Sequence, residues 1–311
     1  MLDSYGRNID YIRISVTDRC NFQCLYCSHR LDVLPREQVL RFEDILNIVK
    51  AAKDLGFKKV RLTGGEPLLR RHIEQLVAML QPVGLSIHMT TNGYFLHELS
   101  KPLFDAGLNG VNVSLDFVDA EKFRNITNGG RVEDVIAGID SALDAGLKVK
   151  LNTVFTSWHT TDDMKQLIMF SKSRSIPIRF IELMPKNESS FSALFRNISE
   201  AKEMMGAFTK MTVEQVSGSD GPAQYFVTED GVKVGFISFF NLNQCKQCNR
   251  LRVSSNGTIY PCLLSNKKLD AFDDIKAGTD KTKEVLSEAI LMKPIHGNAN
   301  EVGPYMSEIG G

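Results

Sequence analysis

Between residues 9 and 185, short apolar runs alternate with amphipathic stretches, and this rhythm constrains the fold more than any other feature of the chain. The runs at 11–16, 59–63, 86–90, 110–115, 148–154 and 178–183 are rich in Val, Ile and Leu and are expected to be strands. Segments 42–55, 71–80, 132–145 and 162–173 carry apolar residues at i, i+3, i+4 spacing and are expected to be helices. Glycine follows several of them in DLG and two DAG triplets, as left-handed helix caps require. Repeated β–α alternation implies a parallel sheet with right-handed crossovers. The rhythm alone leaves a partial barrel and a doubly wound sheet open.

Beyond Pro185 the rhythm breaks. A loop is expected at 186–195, a helix at 198–210, strands at 223–228 and 233–239, and a helix at 281–291. Strands at 250–254 and 258–261 flank Asn256-Gly257, a strong hairpin signal. The chain therefore divides into a βα region, 1–190, and a C-terminal region, 191–311, ending in Gly310-Gly311.

The chemistry-bearing residues follow the expected strands. Cys20, the run Gly64-Gly65-Glu66-Pro67, Thr91-Asn92-Gly93, Asp116 and Met184-Pro185 all fall at or just past strand C-terminal ends. Parallel α/β folds build their active sites on that face.

All six cysteines belong to two triplets. Cys20, Cys24 and Cys27 read C-x3-C-x2-C, and Cys245, Cys248 and Cys262 read C-x2-C-x13-C. The N-terminus has no apolar signal core, and no apolar run approaches the ~20 residues that span a bilayer. A cytoplasmic location is expected, where clustered cysteines are metal ligands rather than disulfides. Three thiolates can hold three irons of a cubane and leave the fourth open to a small molecule. For the first triplet, zinc with His29 as fourth ligand is the competing reading. For the second, spacing leaves a cluster and a zinc ribbon lacking a ligand equally open. Between its cysteines, Arg250 and Arg252 share one face of a strand, and guanidinium forks suit phosphate oxygens.

Lys+Arg and Asp+Glu are both 37, so the formal net charge is zero. Nothing global argues for nucleic acid or a membrane surface, and an anionic ligand must be met by local basic clusters. Lys150 and Arg179 lie inside apolar strands, where an unpaired charge is costly, so each needs a ligand or a carboxylate. Met89, Met164, Met169, Met204 and Met205 are expected to fill the core, and Trp158 and His159 to lie at the surface.

The first triplet with Tyr26 before its last cysteine, together with GGEP after the second strand, resembles the radical S-adenosylmethionine (SAM) superfamily. Within it, YIRISVTDRCNFQCLYC, RLTGGEPLLRR, TTNGY, VNVSLD, KLNTV, RFIELMP, SDGPAQ, CNRLRVSSNGTIYPCL and the final IGG resemble the GTP 3′,8-cyclase family of molybdenum-cofactor biosynthesis. They span nearly the whole chain in order. The resemblance implies a partial (β/α)6 TIM-type barrel with a C-terminal extension carrying a second Fe–S cluster.

It implies a SAM-binding [4Fe-4S] cluster on Cys20, Cys24 and Cys27, and a second [4Fe-4S] cluster, facing GTP, on Cys245, Cys248 and Cys262. Tyr26, Gly65, Ser114 and Met184 fall at its SAM-contact positions. Arg13, Arg61, Thr90, Lys150, Arg179, Arg250 and Arg252 fall at its GTP-contact positions. The implied reaction is cleavage of SAM, abstraction of the ribose 3′ hydrogen by a 5′-deoxyadenosyl radical, and bonding of C3′ to guanine C8. The cofactors carry this chemistry, and no catalytic side chain is assigned beyond the tail Gly310-Gly311, which reaches the active site in the family. Also implied are a flavodoxin- or ferredoxin-type electron donor, a homodimer, and a functional link to cyclic pyranopterin monophosphate synthase. Gln23 stands where the family often has Arg, Ser28-His29 replaces a common Met-Pro, and the loop 28–41 is shorter than usual.

Overall fold

A computed structural model describes residues 1–27, 33–184, 189–214, 221–238 and 241–298, with the side chains of 189–191 excepted. The six expected strands form as β1 Tyr11–Ser15, β2 Lys59–Thr63, β3 Ser86–Thr91, β4 Gly110–Ser114, β5 Lys148–Phe155 and β6 Ile178–Glu182. Six further strands follow: β7 Met211–Val213, β8 Gln224–Thr228, β9 Lys233–Ile237, β10 Arg250–Val253, β11 Thr258–Tyr260 and β12 Leu269–Asp270. Among the described residues they make one sheet, ordered β12-β11-β10-β1-β2-β3-β4-β5-β6-β9-β8-β7. Strands β1 to β6 run parallel in sequence order, the α/β architecture of a partial barrel. The C-terminal region adds a parallel strand to each flank, β10 beside β1 and β9 beside β6, and each continues outward through antiparallel neighbours.

Helices α1 Phe42–Asp54, α2 Ile73–Leu80, α3 Leu96–Asp105, α4 Ala120–Thr127, α5 Val132–Asp144 and α6 Thr161–Ser173 supply the crossovers. The cap of α5 shows why the sequence stops there. Gly146 takes φ +91°, and the Leu147 amide donates to the carbonyl of Ala142, closing a turn that a side-chain-bearing residue would strain. At the other end of a crossover, Thr160 and Asp163 form a reciprocal capping box that starts α6. Two helices escaped the sequence reading. Both are amphipathic, and Pro102, which removes a backbone donor inside α3, is what argues against a helix there. A short helix at Ser189–Leu194 also stands where a loop is expected.

The strands alternate with unusual discipline for a parallel sheet. One phase is apolar and buried under the helices: Ile12, Ile14, Val60, Leu62, Val111, Val113, Val149, Leu151, Ile178, Phe180, Leu251 and Val253. The other phase is polar: Tyr11, Arg13, Lys59, Arg61, Asn112, Lys150, Asn152, Arg179, Arg250 and Arg252. Parallel strands covered on both faces read as continuous apolar runs. Alternation here means that the second face lines a largely polar chamber, with Val154 and Ile181 as apolar members, rather than a core.

Two expectations about single residues are corrected. Met169 is exposed on α6 rather than in the core. His159 is buried, not at the surface, while Trp158 beside it is exposed. The His159 ring stacks on Phe117 at 4.3 Å between centroids. Its Nδ1 accepts from the Thr156 amide at 3.1 Å, and its Nε2 lies 2.9 Å from the carbonyl oxygen of Asp116. Burial drives its pKa down to about 4.

A pH dependence follows. Below the ordinary value of about 6.5 the unfolded chain takes up a proton at this histidine, and the folded chain does not until about pH 4. Stability at this residue is therefore complete above pH 6.5 and falls as the medium is acidified, by about 3 kcal/mol at pH 4. Urea unfolding from pH 7 to pH 4 should show a shallower acid loss in His159→Asn, whose amide does not titrate. Equal slopes for the two proteins would contradict this account.

Candidate active site

The polar phase of the sheet encloses a cavity of ≈720 Å³, within the usual range of small-molecule sites. All six cysteines line it. So do Tyr26, Gly65, Ser114 and Met184, and Arg13, Arg61, Thr90, Lys150, Arg179, Arg250 and Arg252. Sequence positions more than 200 apart thus face one chamber. Ser28, His29, Pro185 and the tail Gly310-Gly311 lie outside the described residues.

The first triplet sits on a loop pinned from two sides. On one side the Gly65 amide donates to the Thr17 carbonyl (2.8 Å) and the Glu66 amide to the Arg19 carbonyl (2.7 Å). A Cβ on Gly65 would stand 2.3 Å from that Arg19 oxygen, so only glycine lets the two loop segments approach this closely. On the other side the amides of Gln23 and Leu25 donate to the carbonyls of Thr127 and Ile126 at the end of α4. Gln23, the departure from the family pattern, accepts from the Asn128 side chain at 3.2 Å.

Glu66 is fully buried, and burial pushes its pKa up to about 7. Its carboxyl accepts from the Leu68 amide (3.0 Å), the Thr91 hydroxyl (2.7 Å) and the Asn92 amide (2.6 Å). Asn92 in turn reaches Asn21 (2.8 Å) and lies 3.9 Å from the Cys20 sulfur. Tyr26 donates its hydroxyl to Asp116, which also accepts from the Val154 amide at 2.8 Å. Asn92, Asp116 and Glu66, all placed by the sequence just past strand ends, thereby acquire definite contacts around the first triplet.

The second triplet is built by C-terminal elements. Cys245 lies in the last turn of the short helix Leu242–Lys246, Cys248 precedes β10, and Cys262 follows β11. The Leu264 amide points at the Cys262 sulfur (3.4 Å), as the Phe22 amide does at Cys20 (3.4 Å). Burial raises the Cys248 thiol, but Arg250 and Lys293 outweigh it and hold the pKa at about 6. Burial raises Cys20 to about 11 and Cys24 well above the usual thiol range.

All six thiols are free, so no disulfide competes for them. Among the described residues the two triplets of thiols face a cavity lined by no histidine, a donor set that suits Fe–S clusters. Among the described residues no group of His, Cys, Asp or Glu closes to the spacing of a single metal ion.

Between the triplets the lining carries nine basic side chains and one carboxylate, that of Glu182. Glu182 caps the helix Ile198–Gly206 by accepting from the Ile198 amide at 2.9 Å. Strand register concentrates the charge. Arg252 pairs with Arg13, and Arg13 with Arg61, on three adjacent strands. Like charges directly opposite one another on a sheet are destabilising.

The fold holds these forks in place with local acceptors. Arg61 donates to the Tyr11 hydroxyl (2.6 Å), the Met89 carbonyl (2.9 Å) and Thr90 (3.4 Å). Arg179 donates to Asn152 at 2.9 Å. Gly235 makes room for it, since a Cβ there would meet Arg179 and Tyr225 at 2.9 Å. Lys150 is exposed to the cavity, and partial desolvation there, aided by Arg179, Lys59 and Arg61, lowers it to about 8. Tyr11, Lys59, Lys233 and Lys293 were not read from the sequence as site residues. The signal for the first two was present, because they share the inward strand phase of Arg13 and Arg61.

Comparison with known proteins agrees with this arrangement. Residues 14–170 match the Radical SAM superfamily, and residues 176–298 match Molybdenum Cofactor Synthesis C. The chain is 41% identical to the GTP 3′,8-cyclase of Thermodesulfovibrio yellowstonii and to that of Pelotomaculum thermopropionicum, over the full length of all three proteins. It is 35% identical to the GTP 3′,8-cyclase of Pseudomonas putida, covering 100% of this chain and 98% of that one. Among solved structures, Streptococcus suis SuiB bound to S-adenosylmethionine superposes with a TM-score of 0.65 at 15% identity. That match covers 86% of this chain and 64% of SuiB, a likeness of fold alone. Full-length identity, the two matched regions and two cysteine triplets facing one cationic cavity lead to one conclusion: the chain belongs to the GTP 3′,8-cyclase family of radical SAM enzymes.

Proposed function

We propose that this enzyme converts GTP to (8S)-3′,8-cyclo-7,8-dihydroguanosine 5′-triphosphate, the first step of molybdenum-cofactor biosynthesis. The observation that carries the reading is the row Arg252–Arg13–Arg61, three like charges in register on the wall between the two triplets. Such a row suits a polyanion, which would offset the repulsion between its members. Cys20, Cys24 and Cys27 hold the SAM cluster, and Cys245, Cys248 and Cys262 the second. When bound, the first cluster and SAM supply a 5′-deoxyadenosyl radical.

The chain's own residues orient and enclose. Tyr26, Gly65, Ser114 and Met184 form the SAM side of the chamber. Arg13, Arg61, Lys150, Arg179, Arg250 and Arg252 take the triphosphate and guanine side, with Thr90 steadying Arg61. Remote binding energy of the triphosphate is thereby converted into orientation of the ribose. The family resemblance supports a part in activity for the tail Gly310-Gly311, and residues 191–311 serve as the region that carries the second cluster.

The same reading includes a cytoplasmic homodimer served by a flavodoxin- or ferredoxin-type donor, with the product passed to cyclic pyranopterin monophosphate synthase. The family resemblance supports these points. Among the described residues no helix is long and apolar enough to cross a membrane.

The test is anaerobic. Reconstituted enzyme is given dithionite and SAM, and 5′-deoxyadenosine is quantified with GTP, with ATP and without nucleotide. A GTP-specific rise, with a cyclised product of unchanged GTP mass, is expected. SAM cleavage indifferent to GTP would overturn the substrate and direct the search to peptides.

A further inference from the structure

Lys293 follows the helix Thr279–Leu291 and is only 3% exposed, an unusual position for a lysine. A buried ammonium needs acceptors, and two are provided. Its Nζ donates to the carbonyl of Arg250 at 2.8 Å and to that of Pro261 at 2.6 Å. These carbonyls stand on opposite limbs of the second triplet. Arg250 lies two residues after Cys248, and Pro261 immediately precedes Cys262. The ammonium thus ties together the two chain segments that carry two of the three thiols. Lys293 also lines the cavity together with Cys245, Cys248 and Cys262.

Arg250 is the other cation beside Cys248, but its role differs. Its fork belongs to the proposed GTP set, so its charge is shared with the substrate. Lys293 is anchored to backbone carbonyls, so its charge does not depend on occupancy of the nucleotide site.

We propose that Lys293 is a positioning residue of the second cluster, fixing the separation of its two limbs and raising its reduction potential by a permanent adjacent charge. The inference rests on the reading of the second triplet as a cluster site. The physical reason is simple. Reduction adds one negative charge to the cluster, and a cation held nearby in a poorly polarisable interior stabilises the reduced state more than the oxidised one.

The experiment is a potentiometric titration of the reconstituted full chain, followed by electron paramagnetic resonance. The first-cluster signal is identified by its change on adding SAM, and the signal insensitive to SAM reports the second cluster. Iron and sulfide analysis precedes it, with about eight irons per chain expected in wild type and in the variants. Lys293→Met should move the second-cluster midpoint to more negative potential and leave the first unchanged, while Lys293→Arg should restore it. A wild-type midpoint in Lys293→Met overturns the proposal.

If Lys293→Met fails to hold the second cluster, Lys293→Gln decides, because its amide keeps donors for the carbonyls without the charge. A lowered midpoint in that variant supports the proposal, and an unchanged one overturns it. Only about four irons in wild type would instead overturn the cluster reading itself, whatever the variants do.

Discussion

Gly65→Ala is expected to strip the first cluster and leave the second in place. The added methyl would stand 2.3 Å from the Arg19 carbonyl oxygen and 2.6 Å from its carbon. Both are backbone atoms of the segment leading into Cys20, so no side chain can swing aside. The same oxygen accepts the Glu66 amide, and that bond breaks if the segments separate. Overpacking of this kind costs about 1–3 kcal/mol, enough to displace a loop without unfolding the sheet. Reconstituted Gly65→Ala should therefore hold about four irons rather than eight and release no 5′-deoxyadenosine with or without GTP. Full iron loading with wild-type SAM cleavage would show that the loop tolerates the methyl, and the close approach would lose its meaning. Gly65 thus has a backbone reason beside the SAM contact proposed for it.

Arg252→Ala should separate the two halves of the site in the opposite way. Both triplets remain, so about eight irons and GTP-independent SAM cleavage are expected to persist. What is lost is one guanidinium from the row in register with Arg13 and Arg61. A hydrogen bond to a charged partner contributes about 1.5–3 kcal/mol, which corresponds to GTP binding weakened roughly ten- to hundredfold. Because the triphosphate positions the ribose, turnover at saturating GTP should fall as well. Thermal-shift and equilibrium binding measurements check this directly. GTP should raise the melting temperature of wild type clearly and of the variant only weakly. Unchanged GTP affinity and turnover would remove the arginine row from the nucleotide site.

The two variants together test the division of the chamber. One face, held by the GGEP segment and α4, presents the first triplet. The other, held by the β10–β11 hairpin, Arg7 and Lys293, presents the second. Arg7 reaches across from the N-terminus to donate to the Cys245 carbonyl at 2.9 Å and to the carbonyls of Ile295 and Pro294. The N-terminal segment is therefore part of the support of the second triplet, a contact invisible in a local reading of either.

The sequence alone determined a great deal here. The six strands of the βα region, the capping glycines, the two triplets, the Asn256-Gly257 hairpin and the family are all local patterns, set by the periods of strand and helix and by short-range spacing. The inward strand phase was also written locally, as the alternation of Arg and Lys with Val, Ile and Leu. What only the tertiary structure decided is which strands become neighbours. Nothing near Arg250 announces that β10 pairs with β1, since a parallel pairing across more than 200 residues leaves no local trace. That pairing turns three separate arginines into a row and brings the second triplet to the first. His159 shows the same limit at a smaller scale. Its segment reads as an exposed turn, and only the packing of Phe117 and the Asp116 carbonyl makes it a neutral, buried ring. The staple at Lys293 was hidden for the same reason, because contacts across the fold are not a property of any window of sequence.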